Sequence, residues 1–413
     1  MNEPLDASKV VPTYALRGGL IFTADGQFVP SDVLVAGGKI EAVGRLQRDD
    51  RERATELDCT GLVLFPGFID CHVHVTITTL NVIAGLDTPL SYRFYEAAQN
   101  LKATLHAGVT TVRDAAGADA GIKRALASGM IEGPRLLTAI GMISQTGGHG
   151  DRTMPCGVHL PLMPEYPGNP RTIADGPDEV RRVVRTLIRD GADVIKVATS
   201  GGVMSPRGNP RHGHFRPAEL DVLVEEATAA GLPTMAHAHS AAGVKAAVRA
   251  GITSVEHGAF LDEEAIAAMV AARTYLVPTL VSGQGVLAAG GGISPENLRK
   301  VNDGIASHHA SISAAVSAGV RIAMGTDSGV TAHGRNLEEL ALMEGTGLSP
   351  ERVLLSATLE AARLLGIDDR VGALEPGKLA DIVAVSGDPL DLAAIPNAVQ
   401  VVVAQGKIAR DSR

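Results

Sequence analysis

The chain has no tryptophan, and aromatic residues make up only 3% of its 413 positions. Its core must therefore be aliphatic, built from Val, Ile, Leu and Ala. Cysteine is scarce too. Cys59, Cys71 and Cys156 are odd in number and form no Cys-x-x-Cys pair, which argues against a disulfide framework. Positive charge is not in excess: 37 Lys and Arg against 46 Asp and Glu give a net charge of −9. With no basic run either, neither nucleic acid nor an anionic membrane is the expected partner. No apolar run reaches the roughly 18 residues of a membrane span. Residues 1–13 carry Glu3, Asp6 and Lys9 and lack the apolar centre of a secretory signal. The expectation is a soluble cytoplasmic protein acting on a small molecule.

What is present is ordinary except for histidine. Hydrophobic residues at 45% and charged residues at 20% describe a folded chain, and 47 glycines imply many tight turns. Thirteen histidines, however, outnumber the seven Phe and five Tyr together. Where they cluster decides what the chain does.

The first 60 or so residues read as short strands with glycine turns, and the last 40 repeat that texture. Ala36-Gly37-Gly38-Lys39-Ile40 near the start resembles Gln405-Gly406-Lys407-Ile408 near the end. Both are hairpin turn chemistry. The expectation is a small β-sandwich made from residues 1–64 and 370–413, with a catalytic unit of residues 65–369 inserted between them. That insert alternates apolar runs with helical patterns. The runs cover 62–75, 109–113, 135–143, 194–198, 234–238, 254–256, 275–280 and 321–324. Near-continuous apolar strands indicate burial on both faces, as in a parallel sheet. Eight β/α alternations over about 300 residues predict an α/β fold of the (β/α)8 TIM-barrel type.

In such a barrel the chemistry sits where strands end. His72 and His74 end the first run, and because strand residues alternate they face the same side. Lys196 lies in the fourth run between Ile195 and Val197. His237 and His239 end the fifth, His257 the sixth, and Asp327 follows the eighth. A lysine inside a buried strand must shift its pKa, find a partner or be chemically modified. Four imidazoles and a carboxylate suit divalent metals such as Zn2+, and five N/O ligands exceed one tetrahedral site. Two ions call for a bridging anion, which a carbamate formed from Lys196 and CO2 would supply.

The motif Phe65-Pro66-Gly67-Phe68-Ile69-Asp70-Cys71-His72-Val73-His74 resembles the opening motif of the amidohydrolase superfamily, in its binuclear metal branch. Lys196, His237, His257 and Asp327 match its remaining motifs in chain order. Glu375-Pro376-Gly377-Lys378 resembles its return into a composite β unit. The 41-residue step from Lys196 to His237, the 20-residue step to His257, and Gly147-Gly148-His149-Gly150-Asp151 are most similar to the imidazolonepropionase-like group of Xaa-Pro dipeptidases, N-acyl-amino-acid carboxypeptidases and ochratoxinase-like amidases. The resemblance implies that His72, His74 and Asp327 hold one ion and His237 and His257 the other, with carboxylated Lys196 as the bridge. It also implies a homo-oligomer. One departure stands out: the loop 205–216, usually acidic in these peptidases, here carries Arg207, Arg211 and Arg216.

Two metals sharing a water would lower its pKa from 15.7 toward about 7, with Asp327 as the catalytic proton carrier. The expected reaction is hydrolysis of an amide in a substrate bearing a free carboxylate. His149, Arg152, Arg207 and His239 are the candidates for binding it. Lactones, carbamates and organophosphates remain open on the same centre. A Schiff-base aldolase using Lys196 would leave four histidines without a role.

Overall fold

A computed structural model of the protein describes residues 12–154, 156–161, 163–205, 208–289 and 295–413. It is a mixed α/β fold with two kinds of sheet. Parallel strands form the middle of the chain. Phe68–Val73, Val109–Asp114 and Arg135–Thr138 make a three-stranded sheet. Met142–Ile143, Ile195–Ala198, Thr234–Ser240, Ser254–Phe260, Tyr275–Val277 and Arg321–Ile322 make a six-stranded one, in chain order. Every residue of the Phe68–Val73, Val109–Asp114 and Ile195–Ala198 strands is buried, as expected where helices cover a sheet.

The two parallel sheets meet at both ends. Arg135–Thr138 and Met142–Ile143 are separated by three residues, and there Ile140 takes φ 64°. The Thr138 hydroxyl accepts from the Ile140 amide at 2.9 Å, which turns the chain between them. The single run expected over 135–143 is therefore two strands. At the other end, the segment after Arg321–Ile322 lies against the first parallel strand. Cys71 N donates to Met324 O at 2.9 Å, Asp327 N to His72 O at 2.7 Å and His74 N to Ser328 O at 2.7 Å.

The run expected over 62–75 is also two strands, broken at Gly67. A Cβ there would lie 2.0 Å from the Thr110 hydroxyl, so only glycine fits. Its first half, Leu62–Pro66, belongs to the terminal sheets. It pairs with Ile382–Ser386 and Leu20–Phe22 in a six-stranded sheet completed by Phe28–Pro30, Val399–Ala404 and Lys407–Asp411. A second sheet holds Tyr14–Arg17, Asp32–Ala36, Lys39–Gly44 and Thr55–Asp58. Leu16, Val33 and Ile40 of the one and Leu64, Ile382 and Val403 of the other share a single core, as a sandwich requires. The two similar glycine turns touch: a Cβ on Gly406 would lie 2.4 Å from Gly38 Cα.

The helices follow local rules. Pro177–Arg189 begins with proline and two acids, ends on arginine and buries Val180, Val183, Val184 and Leu187 on one face. Helix Val281–Ala289 was not expected from the sequence. Residues 350–364 form two helices, Pro350–Ser356 and Leu359–Leu364. Among the described residues no helix is long and apolar enough to cross a membrane.

Candidate metal centre and substrate cavity

The strand ends bring the histidines together from far apart in the sequence. Among the described residues two groups of three could hold an ion: His72, His74 and Asp327, and His237, His239 and His257. His72 links them, with its ring centroid 5.5 Å from that of His74 and 5.1 Å from that of His257. The ring of His239, expected at the substrate, faces the same cavity as the other rings and also stacks on His257 at 4.9 Å, within the second group.

Four of the five rings are anchored through one nitrogen. His72 Nδ1 donates to Glu256 Oε2 and His74 Nδ1 to Ala116 O, both at 2.8 Å. Their Nε2 atoms face Asp327 Oδ1 at 3.4 and 3.3 Å. His257 Nδ1 meets the Thr279 hydroxyl at 2.7 Å, and His237 Nε2 donates to Gly201 O at 3.2 Å. This is the outer shell of a metal site: one nitrogen fixed by a protein partner, the other left for an ion. His257 and Asp327 have φ of 76° and 60°, a left-handed backbone that non-glycine residues adopt only under constraint.

Burial dominates the electrostatics. It holds His149, His237 and His257 well below their ordinary value, and His239 at about 3, so these rings are neutral and able to coordinate. Lys196 is 1% exposed, its Nζ has no hydrogen-bond partner, and burial pushes it down to about 8. Burial would raise the Glu256 carboxyl, but Arg113 and His72 outweigh that and hold it at about 2. Asp327 is likewise opposed by burial and drawn down, far below the usual range, by His72 and His74. Neutral imidazoles, an ionised carboxylate and an unpartnered buried lysine nitrogen form a donor set that fits two divalent ions bridged by a carbamate.

Around the rings the sequence had not flagged the supports. Asp70 accepts from His72 N, Thr326 N, the Thr326 hydroxyl and Asn336 Nδ2, tying the first strand to the turn that carries Asp327. Arg113 reaches Glu256 at 3.0 Å and Cys71 O at 2.7 Å, both groups fully enclosed. The presence of Asp70 within the Asp-x-His-x-His motif was the available signal. Nothing in the local sequence pointed to Arg113.

The rings open into a cavity of about 260 Å3. His149 lines it, its ring stacked on His237 at 4.0 Å and its Nδ1 bonded to the Ser205 hydroxyl at 2.6 Å. Gly202 makes that stack possible, since a Cβ there would lie 2.1 Å from His149 Nδ1. Arg152 also lines the cavity, is 8% exposed, and its side chain has no hydrogen-bond or ion-pair partner among the described residues. Burial lowers it to about 10. Met142, Met163, Met204, Val286 and Ile305 give other parts of the wall an apolar character. Of the cationic loop, Arg211 and Arg216 do not line the cavity. Arg211 packs over the Phe260 ring at 3.9 Å and Arg216 lies exposed beside the start of helix Pro217–Ala229. Arg207 lies outside the described residues.

A parallel α/β core with histidine clusters at its strand ends defines a hydrolase of the metal-binding kind. The amidohydrolase family model matches residues 63–409, and the chain belongs to that family. It is 36% identical over 425 residues to an ochratoxinase of Aspergillus niger, covering 98% of this chain and 87% of that protein. A solved Xaa-Pro dipeptidase with methionine bound in its active site superposes with a TM-score of 0.87 at 32% identity, covering 96% of this chain and 99% of the other. A prolidase complexed with N-methylphosphonate-L-proline superposes with a TM-score of 0.87 at 30% identity, covering 97% of this chain and 100% of the other.

Proposed function

We propose that the protein hydrolyses the amide bond of a substrate with a free carboxylate, an N-acyl amino acid or an Xaa-Pro-type dipeptide, with an ochratoxin-like amide as a further member of that class. In this reading the two parallel sheets close into a (β/α)8 barrel, supported by the hydrogen bonds from residues 71–74 to the segment after Arg321–Ile322. His72, His74 and Asp327 would hold one divalent ion and His237 and His257 the other, with His239 beside them, and Lys196, once carboxylated, would supply the anionic ligand between them. Zn2+ is the ion this donor set suits best. When bound, the ions supply Lewis-acid polarisation of the scissile carbonyl and activation of a water.

The chain's own groups do the rest. Asp327 uses Oδ1 toward His72 and His74, leaving Oδ2 to take the water's proton and return it to the leaving nitrogen. His149, kept neutral by burial and oriented by Ser205, hydrogen-bonds the substrate in the cavity. Arg152 carries the assignment of substrate class. A buried guanidinium without a counter-charge is costly alone, and a substrate carboxylate would complete it through charge-assisted bonds. The ochratoxinase and prolidase relatives support amide substrates of this size.

The test is kinetic. Wild-type protein should cleave N-acyl amino acids and Xaa-Pro dipeptides faster than the same compounds with the carboxylate amidated, and Arg152→Met should erase that preference. Equal rates on acids and amides in the wild type would remove the carboxylate from the reading.

A further inference from the structure

Two histidines that belong to neither group of candidate ligands touch the backbone of one member of each. His308, on helix Pro295–Ser317, donates from Nε2 to the carbonyl of His257 at 2.9 Å. His333, in the loop after Asp327, donates from Nε2 to the carbonyl of His74 at 3.2 Å. A carbonyl only accepts, so Nε2 carries the hydrogen in both rings and neither offers that atom to an ion. We propose that His308 and His333 are positioning residues, each fixing the backbone of one ligand histidine and so setting the ion affinity of one cluster independently of the other.

At both carbonyls strand pairing has ended on one side. Pairing between strands Ser254–Phe260 and Tyr275–Val277 ends at Glu256 and Val277, one residue before His257. His257 then takes its left-handed backbone, which needs outside support. The same helix that supplies His308 also supplies Ser311, whose hydroxyl donates to Ala259 O at 3.0 Å and accepts from Leu261 N at 3.0 Å. Helix Pro295–Ser317 thus fixes the carbonyls of His257 and Ala259 and the amide of Leu261, at and just past the ligand. At the other cluster, strand Phe68–Val73 ends one residue before His74. The His74 carbonyl there takes Ile77 N at 3.1 Å and His333 as its donors. The Nδ1 atom of His333 is buried and unpartnered, and the ring's hydrogen bonding falls on the backbone of the ligand His74 and of Ile77 beside it. Outer-shell partners of this kind change ion affinity about 10- to 100-fold when removed.

The inference rests on the two-ion reading above, and Zn2+ titration of chelated protein separates the two. The wild type should bind two ions per chain. His308→Leu should weaken one of them about 10- to 100-fold and leave the other unchanged. His333→Leu should do the same, and the double variant should weaken both. His308→Gln and His333→Gln, which keep an N–H donor, should restore wild-type binding. If a leucine variant fails to fold, asparagine, too short to reach the carbonyl, replaces it. Single variants that bind both ions as the wild type does would overturn the positioning role. So would a double variant that weakens only one ion, or glutamine variants as weak as leucine. A wild type that binds no Zn2+ would overturn the two-ion reading along with it.

Discussion

At the scale of single residues the molecule is organised around charges that burial forbids unless they are answered. Glu256 and Arg113 answer each other, and Glu256 also holds His72. Removing one partner of a buried pair typically costs about 3–5 kcal/mol. Glu256→Gln is therefore expected to lower stability by about that much at neutral pH, read as a denaturation midpoint. The sign of its pH dependence follows from the depressed carboxyl. Its contribution is complete above the ordinary value of 4.5 and is lost as pH falls toward about 2. The gap between wild type and variant should close over that window, and a gap that widened on acidification would contradict it. Arg152 is the opposite case, a buried cation still unanswered. A hydrogen bond to a charged group is worth about 1.5–3 kcal/mol. Arg152→Met should accordingly raise KM for carboxylate substrates on the order of 10- to 100-fold while leaving amidated analogues unaffected. Asp327→Asn should retain bound metal yet lose turnover, and near-normal kcat in a metal-loaded variant would take the proton-carrying role away from it.

At the scale of elements, the sequence carried the strand ends well and the turns poorly. Lys196, His237, His257 and the His72–His74 pair were legible because a polar residue inside an apolar run has few structural reasons to be there. Helix Pro177–Arg189 has legible ends, since proline and acids mark its start and a terminal arginine its finish. The breaks at Gly67 and Ile140 were hidden, because the contacts that cause them, Thr110 and Thr138, are tertiary or lie in side-chain bonding. For the same reason the packing of Arg211 was not legible: its ring partner Phe260 is 49 residues away and no local pattern announces it. Gly202 is the element-scale counterpart of Arg152, a position where absence of a side chain builds the site. Gly202→Ala should displace His149 from its stack on His237 and lower kcat/KM on the order of 100-fold, the usual penalty for an ångström of misplacement. Circular dichroism should show the fold retained, and an alanine variant with wild-type kinetics would remove the stack from catalysis.

At the scale of the whole molecule, the opening scarcity of aromatics and surplus of histidine are two sides of one arrangement. An aliphatic parallel core is closed over by helices, and its strand ends gather six imidazoles, those of residues 72, 74, 149, 237, 239 and 257, around a single cavity. The two chain ends fold together into sheets whose shared core stands apart from that cavity. The central claim is that two ions held by those strand ends make the chain an amidohydrolase for carboxylate-bearing amides. The most direct measurement is the rate of hydrolysis of an N-acyl amino acid as Zn2+ is titrated into chelated protein. The account predicts no turnover without metal and a rate that saturates at two ions per chain. Undiminished turnover in the chelated protein, or none at two bound ions across N-acyl amino acids and Xaa-Pro dipeptides, would contradict it.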